Sequence, residues 1–194
     1  MSRQHGETTT MKTLYIFLTR SGTLLSNLVY SLTGAQYTHI SLAFDEDLST
    51  LYSSTRKNGY TMFPAGPSRE YLNRGVFLMR ENIPCALYAL EVTDEAYIRA
   101  KRRTQHMMHH GELYRFNSLG LLLCWMHIRW QRRRHYFCSQ FVSEVLQKSG
   151  ALELPKPSTL MHPSDYAELP ELRCLYRGTL AGLPQRQSME LGEV

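Results

Sequence analysis

The chain has 194 residues, 43% of them hydrophobic and 20% charged, with 22 Lys+Arg against 17 Asp+Glu. That is an ordinary globular composition, long enough for one full core without disulfide staples, and it argues against a low-complexity or small cysteine-stapled protein. The net charge of +5 is modest, and the runs Lys101-Arg102-Arg103 and Arg132-Arg133-Arg134 read as solvated faces rather than a nucleic-acid footprint, with contact to phosphates or an anionic membrane surface as the alternative.

Residues 1–10 are polar and are expected to form a disordered extension, with one catalytic-type domain over 11–182 and a flexible tail over 183–194. The first apolar run, Leu14 to Leu18, is too short for a signal-peptide core. Thr13 to Thr19 reads as a strand. Ser21-Gly22-Thr23 then supplies capping chemistry for a helix over Leu24 to Leu32. Strands follow over Tyr37 to Phe44 and Thr50 to Thr55, joined by a turn at Asp45-Glu46-Asp47. Lys57 to Ser68, with Gly59, Pro64, Gly66 and Pro67, reads as loop. Val76 to Met79 and Ala86 to Val92 are further strands. Thr93-Asp94-Glu95 opens a helix to about His110. Leu119 to Trp130 is strongly apolar, and its stretch Leu119 to Met126 reads as a core helix under the functional site, with an interfacial membrane anchor, helped by Trp125, Trp130 and the flanking arginines, as the alternative. It is too short to cross a bilayer. The end of the domain, Asp165 to Leu180, reads as a short helix and then a strand near Cys174 to Tyr176. Strands joined by hairpins, mixed with helices, define an α+β domain.

Cys85, Cys124, Cys138 and Cys174 are scattered, with no C-x-x-C pair. No zinc ribbon or disulfide framework is expected, and reduced thiols imply a cytoplasmic setting. Cys138 stands apart because of its position. Phe141, Val142, Val145 and Leu146 repeat at helical spacing behind it, and Gly150 sits where a left-handed cap would stop the helix. Cys138 therefore opens a helix, where backbone N–H groups and the macrodipole favour a thiolate over a thiol. The alternative is a small buried hydrophobe that begins a core helix. A nucleophile needs a base, and His39, near the start of the Tyr37–Phe44 strand, projects to one defined side of a sheet.

The segments Thr38-His39-Ile40-Ser41 and Phe137-Cys138-Ser139-Gln140-Phe141-Val142 resemble circularly permuted papain-like hydrolases. These are relatives of NlpC-type cell-wall peptidases in which His precedes Cys, an order shared by lecithin:retinol acyltransferase-like enzymes. The resemblance runs from about Leu14 to Leu180 and includes Pro163-Ser164-Asp165 and Tyr176-Arg177-Gly178. It implies a helix bearing the nucleophile, packed on an antiparallel sheet that bears His and an orienting residue. That residue is expected on the strand after His39, where a tight hairpin would bring Ser53 beside the ring, with Ser54 as the alternative. Relatives carry His, Asn, Gln or an acid there. Asp45 lies about 20 Å along the strand from His39 and does not serve.

The implied activity is that of a cysteine hydrolase, with Cys138, His39 and Ser53 as its catalytic residues. Backbone N–H groups at the helix start would hold the oxyanion, and Tyr114 and Ser139 are further candidates for oxyanion or substrate contacts. No cofactor or metal is expected. His106, His109 and His110 have the spacing for a metal but read as a solvated face. The expected partner is a small peptide, acyl-amide or lipid substrate, with peripheral membrane contact as an option. The alternatives are a non-catalytic binding module of the same fold and a membrane-associated acyltransferase.

Overall fold

The computed structural model describes residues 10–20, 34–56, 65–75, 77 and 82–185. The expected helix over Leu24 to Leu32 lies outside them, as do residues 1–9 and 186–194. So does the strand expected over Val76 to Met79, apart from Phe77.

The described residues form an α+β fold. Its largest element is a six-stranded antiparallel sheet in the order β4-β3-β2-β1-β5-β8. The strands are β1 (Met11–Thr19), β2 (His39–Ala43), β3 (Leu51–Arg56), β4 (Ala65–Glu70), β5 (Pro84–Thr93) and β8 (Arg173–Thr179). Alternation along β1 explains its central place. Leu14, Ile16 and Leu18 enter one core, while Tyr15 and Phe17 enter another. β1 is paired on both edges, with Tyr15 opposite Ala43 of β2 and opposite Ala89 of β5.

The first core is closed by two helices. In α1 (Asp94–His109), Ala96, Ala100 and Met107 face the sheet, and the hydroxyl of the N-cap Thr93 accepts the Ala96 N–H at 3.2 Å. In α3 (Cys138–Ser149), Phe141, Val142, Val145 and Leu146 form the buried stripe. Gly150 ends α3 at φ 71°, as its sequence position implies, and its N–H returns to Gln147. Arg103 binds Glu144 at 2.6 Å and ties the two helices together. The second core holds Leu51, Leu72, Phe77, Cys85, Leu87, Leu180 and Leu183. Leu183 is fully buried, so packed chain continues at least one residue past the boundary expected at 182.

Two expectations change. Residues 65–68, read as loop, belong to β4, which lies at the edge of the sheet. Pro67 is tolerated there because an edge strand has one unpaired side, and Gly66 suits the close approach of the Tyr114 carbonyl, which a Cβ would crowd at 3.0 Å. The Leu119–Met126 segment is helical, as α2 (Ser118–Trp125), but it is not a core helix, since only Gly120 and Cys124 of α2 are buried. The short parallel pair β6 (Arg115–Phe116) and β7 (His135–Tyr136) brackets α2 and the turn after it.

Candidate active site

Cys138 is the first residue of α3, and the chain around it is fixed by buried hydrogen bonds. Ser54 donates to the Tyr136 carbonyl at 2.7 Å, two residues ahead of the cysteine. Ser139 donates to the Met161 carbonyl at 2.6 Å. Asn117 donates to the buried Gln140 side chain at 3.1 Å. No side chain caps this end of α3, and the first bond of its ladder runs from Phe141 N–H to the Phe137 carbonyl at 2.9 Å. The N–H groups of Cys138, Ser139 and Gln140 thus precede the ladder, as in any uncapped helix start.

His39 is the first residue of β2, and its ring meets a carboxylate. Nε2 lies 3.0 Å from both Glu70 oxygens, with only 13% of the His39 side chain and 16% of the Glu70 side chain exposed. Ser41, two residues along β2, donates to Glu70 Oε2 at 2.6 Å and stands 3.3 Å from the same ring nitrogen. Nε2 is engaged by Glu70, and the Cys138 side chain is among the groups near enough to the ring to raise its pKa.

The electrostatics of the group follow from this placement. Burial by itself would lower the His39 pKa. The Glu70 charge and the hydrogen bonds of Cys138 and Glu70 outweigh burial, and the value stands well above the ordinary 6.5. Burial would likewise raise the Glu70 pKa, but the His39 charge and the hydrogen bonds from His39 and Ser41 hold it below 4.5. The pair therefore favours imidazolium beside carboxylate. Such an arrangement fixes the ring orientation and stabilises the protonated ring beside a thiol.

Cys138 and His39 come together, while Ser53 does not join them. Its hydroxyl is buried and donates to the Ile40 carbonyl at 2.7 Å, and the place beside the ring belongs to Glu70. The hairpin register, Leu42 opposite Tyr52, spends both serines of β3 on backbone carbonyls. The Ser139 hydroxyl is spent on Met161, so only its backbone N–H faces the helix start. Tyr114 packs its ring on Tyr136, at 6.1 Å between centroids. The His110 ring meets that of His106 at a tilt and that of His109 edge-on, and no group of three or more metal-binding side chains occurs among the described residues.

Glu70 and Ser41 are the residues that sequence reasoning missed. Reading Lys57 to Ser68 as loop hid β4, whose last residue is Glu70. A carboxylate at the end of a Gly-Pro edge strand was the available signal. Ser41 was visible as i+2 from His39, which puts both on one side of β2.

All four cysteines are free. Among the described residues no helix is long and apolar enough to cross a membrane. Comparison with family models, with curated proteins and with solved structures found no match to this chain.

Proposed function

We propose that the chain is a cysteine hydrolase of the permuted papain-like class, acting on an amide or ester bond. The observation that carries this reading is the meeting of three groups from separate elements: Cys138 at the start of α3, His39 on β2 and Glu70 on β4. A carboxylate that orients an imidazole beside a thiol at a helix start is the arrangement nucleophilic acyl transfer needs.

In the proposed reaction the Cys138 sulfur attacks the carbonyl carbon, and the thiol proton resides on His39. The carbonyl oxygen becomes an oxyanion, held by N–H groups at the start of α3. Collapse of this intermediate breaks the C–N or C–O bond, and His39 protonates the departing amine or alcohol. Water then attacks the thioester, giving its proton to His39, and the carboxylic acid leaves as the thiol is restored. Glu70 stays ionised and holds the ring. No cofactor enters the scheme, and the free thiols suit a reducing, cytoplasmic setting.

The rival reading, a non-catalytic binding module of the same fold, would need no group to orient His39, and the Glu70 carboxylate beside the ring disfavours it. An activity-based thiol probe on the wild type and on Cys138→Ala, followed by a panel of peptides, N-acyl amides and lipid esters, tests the proposal. Turnover of at least one class, lost in Cys138→Ala, is expected. A wild type that neither labels at Cys138 nor turns over any class returns the chain to the binding-module reading.

A further inference from the structure

We propose that the outer face of α2, together with the arginine-bearing turn after it, is a docking surface for an anionic lipid bilayer. Apart from Ser118 the helix is apolar, yet only Gly120 and Cys124 are buried, with Leu121 and Leu123 half-buried beside them. Leu119, Leu122, Trp125 and Met126 lie at helical spacing on the opposite side and are 53%, 47%, 38% and 51% exposed. Ile128, in the turn, adds another apolar side chain at 46%. Scattered exposed hydrophobes need no explanation, but a continuous stripe on one helix does.

Charge identifies the occupant. From Leu113 to Ser143 the sequence has no Asp or Glu, but it has Arg115, Arg129, Arg132, Arg133 and Arg134. None of these five makes an ion pair among the described residues, whereas Arg99 and Arg103 of α1 are both paired with glutamates. An apolar stripe beside unpaired arginines is the make-up of a helix that lies in the plane of an anionic membrane surface. A second copy of the chain fits poorly. Two-fold pairing of this face would set one arginine-rich turn near its duplicate with no carboxylate of the same segment between them.

The surface is also held as one piece. The Ile128 N–H binds the Leu123 carbonyl at 2.8 Å, His127 N–H binds Cys124 at 3.0 Å, and Arg115 N–H binds Arg134 at 2.9 Å. Stripe and arginines are thus presented together, with little ordering left to do on contact. The surface adjoins the proposed active site as well. Asn117 accepts the Gly120 N–H at 3.0 Å, capping α2, and donates to Gln140, two residues after Cys138. If the hydrolase reading holds, an acyl chain held in the bilayer is the substrate class closest to the nucleophile; the docking itself does not depend on that reading.

The test is flotation of the full chain with vesicles of phosphatidylcholine, with and without phosphatidylserine. Binding is expected only to the anionic vesicles and should weaken as salt rises and the Debye length shrinks. Leu122→Ser with Met126→Ser should weaken partition about tenfold or more, and Arg132→Gln with Arg133→Gln about twenty-five-fold, near fivefold for each charge. These positions are exposed, so the variants should keep the wild-type circular dichroism. Cys138→Ala should float like the wild type, so loss of turnover and loss of docking are read separately. Failure to float with anionic vesicles overturns the inference, as does flotation that neither pair of substitutions changes. A concentration-dependent dimer, broken by the Leu122/Met126 pair in the absence of lipid, would assign the face to a second copy instead.

Discussion

The helices α2 and α3 begin only twenty positions apart, and both follow a short strand of the same parallel pair. Their sequences suggest similar fates, or even a deeper burial for α2, which is the more apolar of the two. The outcome is the reverse. α3 buries nine of its twelve residues, polar Ser139, Gln140 and Ser143 among them, whereas α2 buries only Gly120 and Cys124. Burial here follows the pattern of apolar residues and the partners offered to polar ones. It does not follow mean apolarity. The polar residues of α3 are accepted inside because Met161, Asn117 and the Tyr166 hydroxyl satisfy them. Leu119 and Leu122 of α2 remain outside because none of the described elements covers them.

The sharpest contrast between the two helices is chemical. Cys138 and Cys124 both lie buried, one on each helix. Cys138 has His39, which Glu70 holds with a raised pKa, whereas Cys124 stands 3.7 Å from Nε2 of His162, whose pKa burial lowers. Burial pushes the thiols of Cys124 and Cys85 up to about 12, which keeps them protonated and slow. Near pH 6, iodoacetamide should therefore label Cys138 first, read by peptide mass mapping. Removal of the base in His39→Ala should lower turnover by about a hundredfold to ten-thousandfold and slow that labelling. Equal slow labelling of all four thiols would dissolve the distinction.

Packing gives the next largest effect. Phe141→Ala empties a fully buried site in α3 and should cost about 3–5 kcal/mol in urea unfolding. Leu122→Ala, on the exposed side of α2, should stay within about 0.5 kcal/mol. A Leu122→Ala loss as large as that of Phe141→Ala would mean the outer face of α2 is covered in solution.

How much of this was legible beforehand is uneven, and the reasons are physical. The start of α3, its Gly150 stop and the strand of His39 follow from local pattern, because caps, periodicity and positive φ are written in neighbouring residues. The orienting residue is a different matter. It was sought on β3, one hairpin away, but it sits on β4, and a Pro and a Gly that an edge strand tolerates disguised that strand. The same limit governs α2. Apolarity records the preference of a segment, but only the rest of the chain decides whether anything arrives to cover it.

Glu70 offers a test of intermediate size. Glu70→Gln keeps the shape and removes the charge, so the hydrogen bond to His39 loses its ionic character. A hydrogen bond to a charged group contributes about 1.5–3 kcal/mol, which corresponds to about a tenfold to hundredfold loss of turnover. Ser53→Ala, by contrast, should leave turnover near wild type, since its hydroxyl serves the Ile40 carbonyl. The pH dependence has a definite sign. The His39 pKa is raised in the fold, so its contribution to stability is complete below about 6.5 and fades as pH climbs through the folded value. The Glu70 pKa is lowered, so its contribution is complete above about 4.5 and fades as pH falls through the folded value. Thermal melts of the wild type and Glu70→Gln should therefore differ most between these limits. The alkaline limb of kcat/KM should also move to lower pH in the variant. An unmoved limb would place the control of the His39 proton elsewhere.

A smaller effect than that of Glu70→Gln lies where the two helices join. Asn117 caps α2 through Gly120 N–H and reaches α3 through Gln140, so one side chain serves both. Gly120 permits this, because a Cβ at that position would run into the Asn117 amide. On helix propensity alone Gly120→Ala should stabilise by about 1 kcal/mol. Displacing Asn117, however, forfeits a cap worth about 0.5–2 kcal/mol. It also leaves Gln140 Oε1 without its buried partner, at a cost of about 1–3 kcal/mol. The unfavourable changes win, so Gly120→Ala should destabilise by about 1–2 kcal/mol in spite of the better helix former. Asn117→Ala should cost a similar amount. The double variant should be more stable than the sum of the two losses predicts, because the alanine at 120 then meets no amide and the propensity gain returns. Additive losses in a double-mutant cycle would mean that Gly120 and Asn117 act separately, and that the link between the exposed helix and the helix of Cys138 runs through other residues.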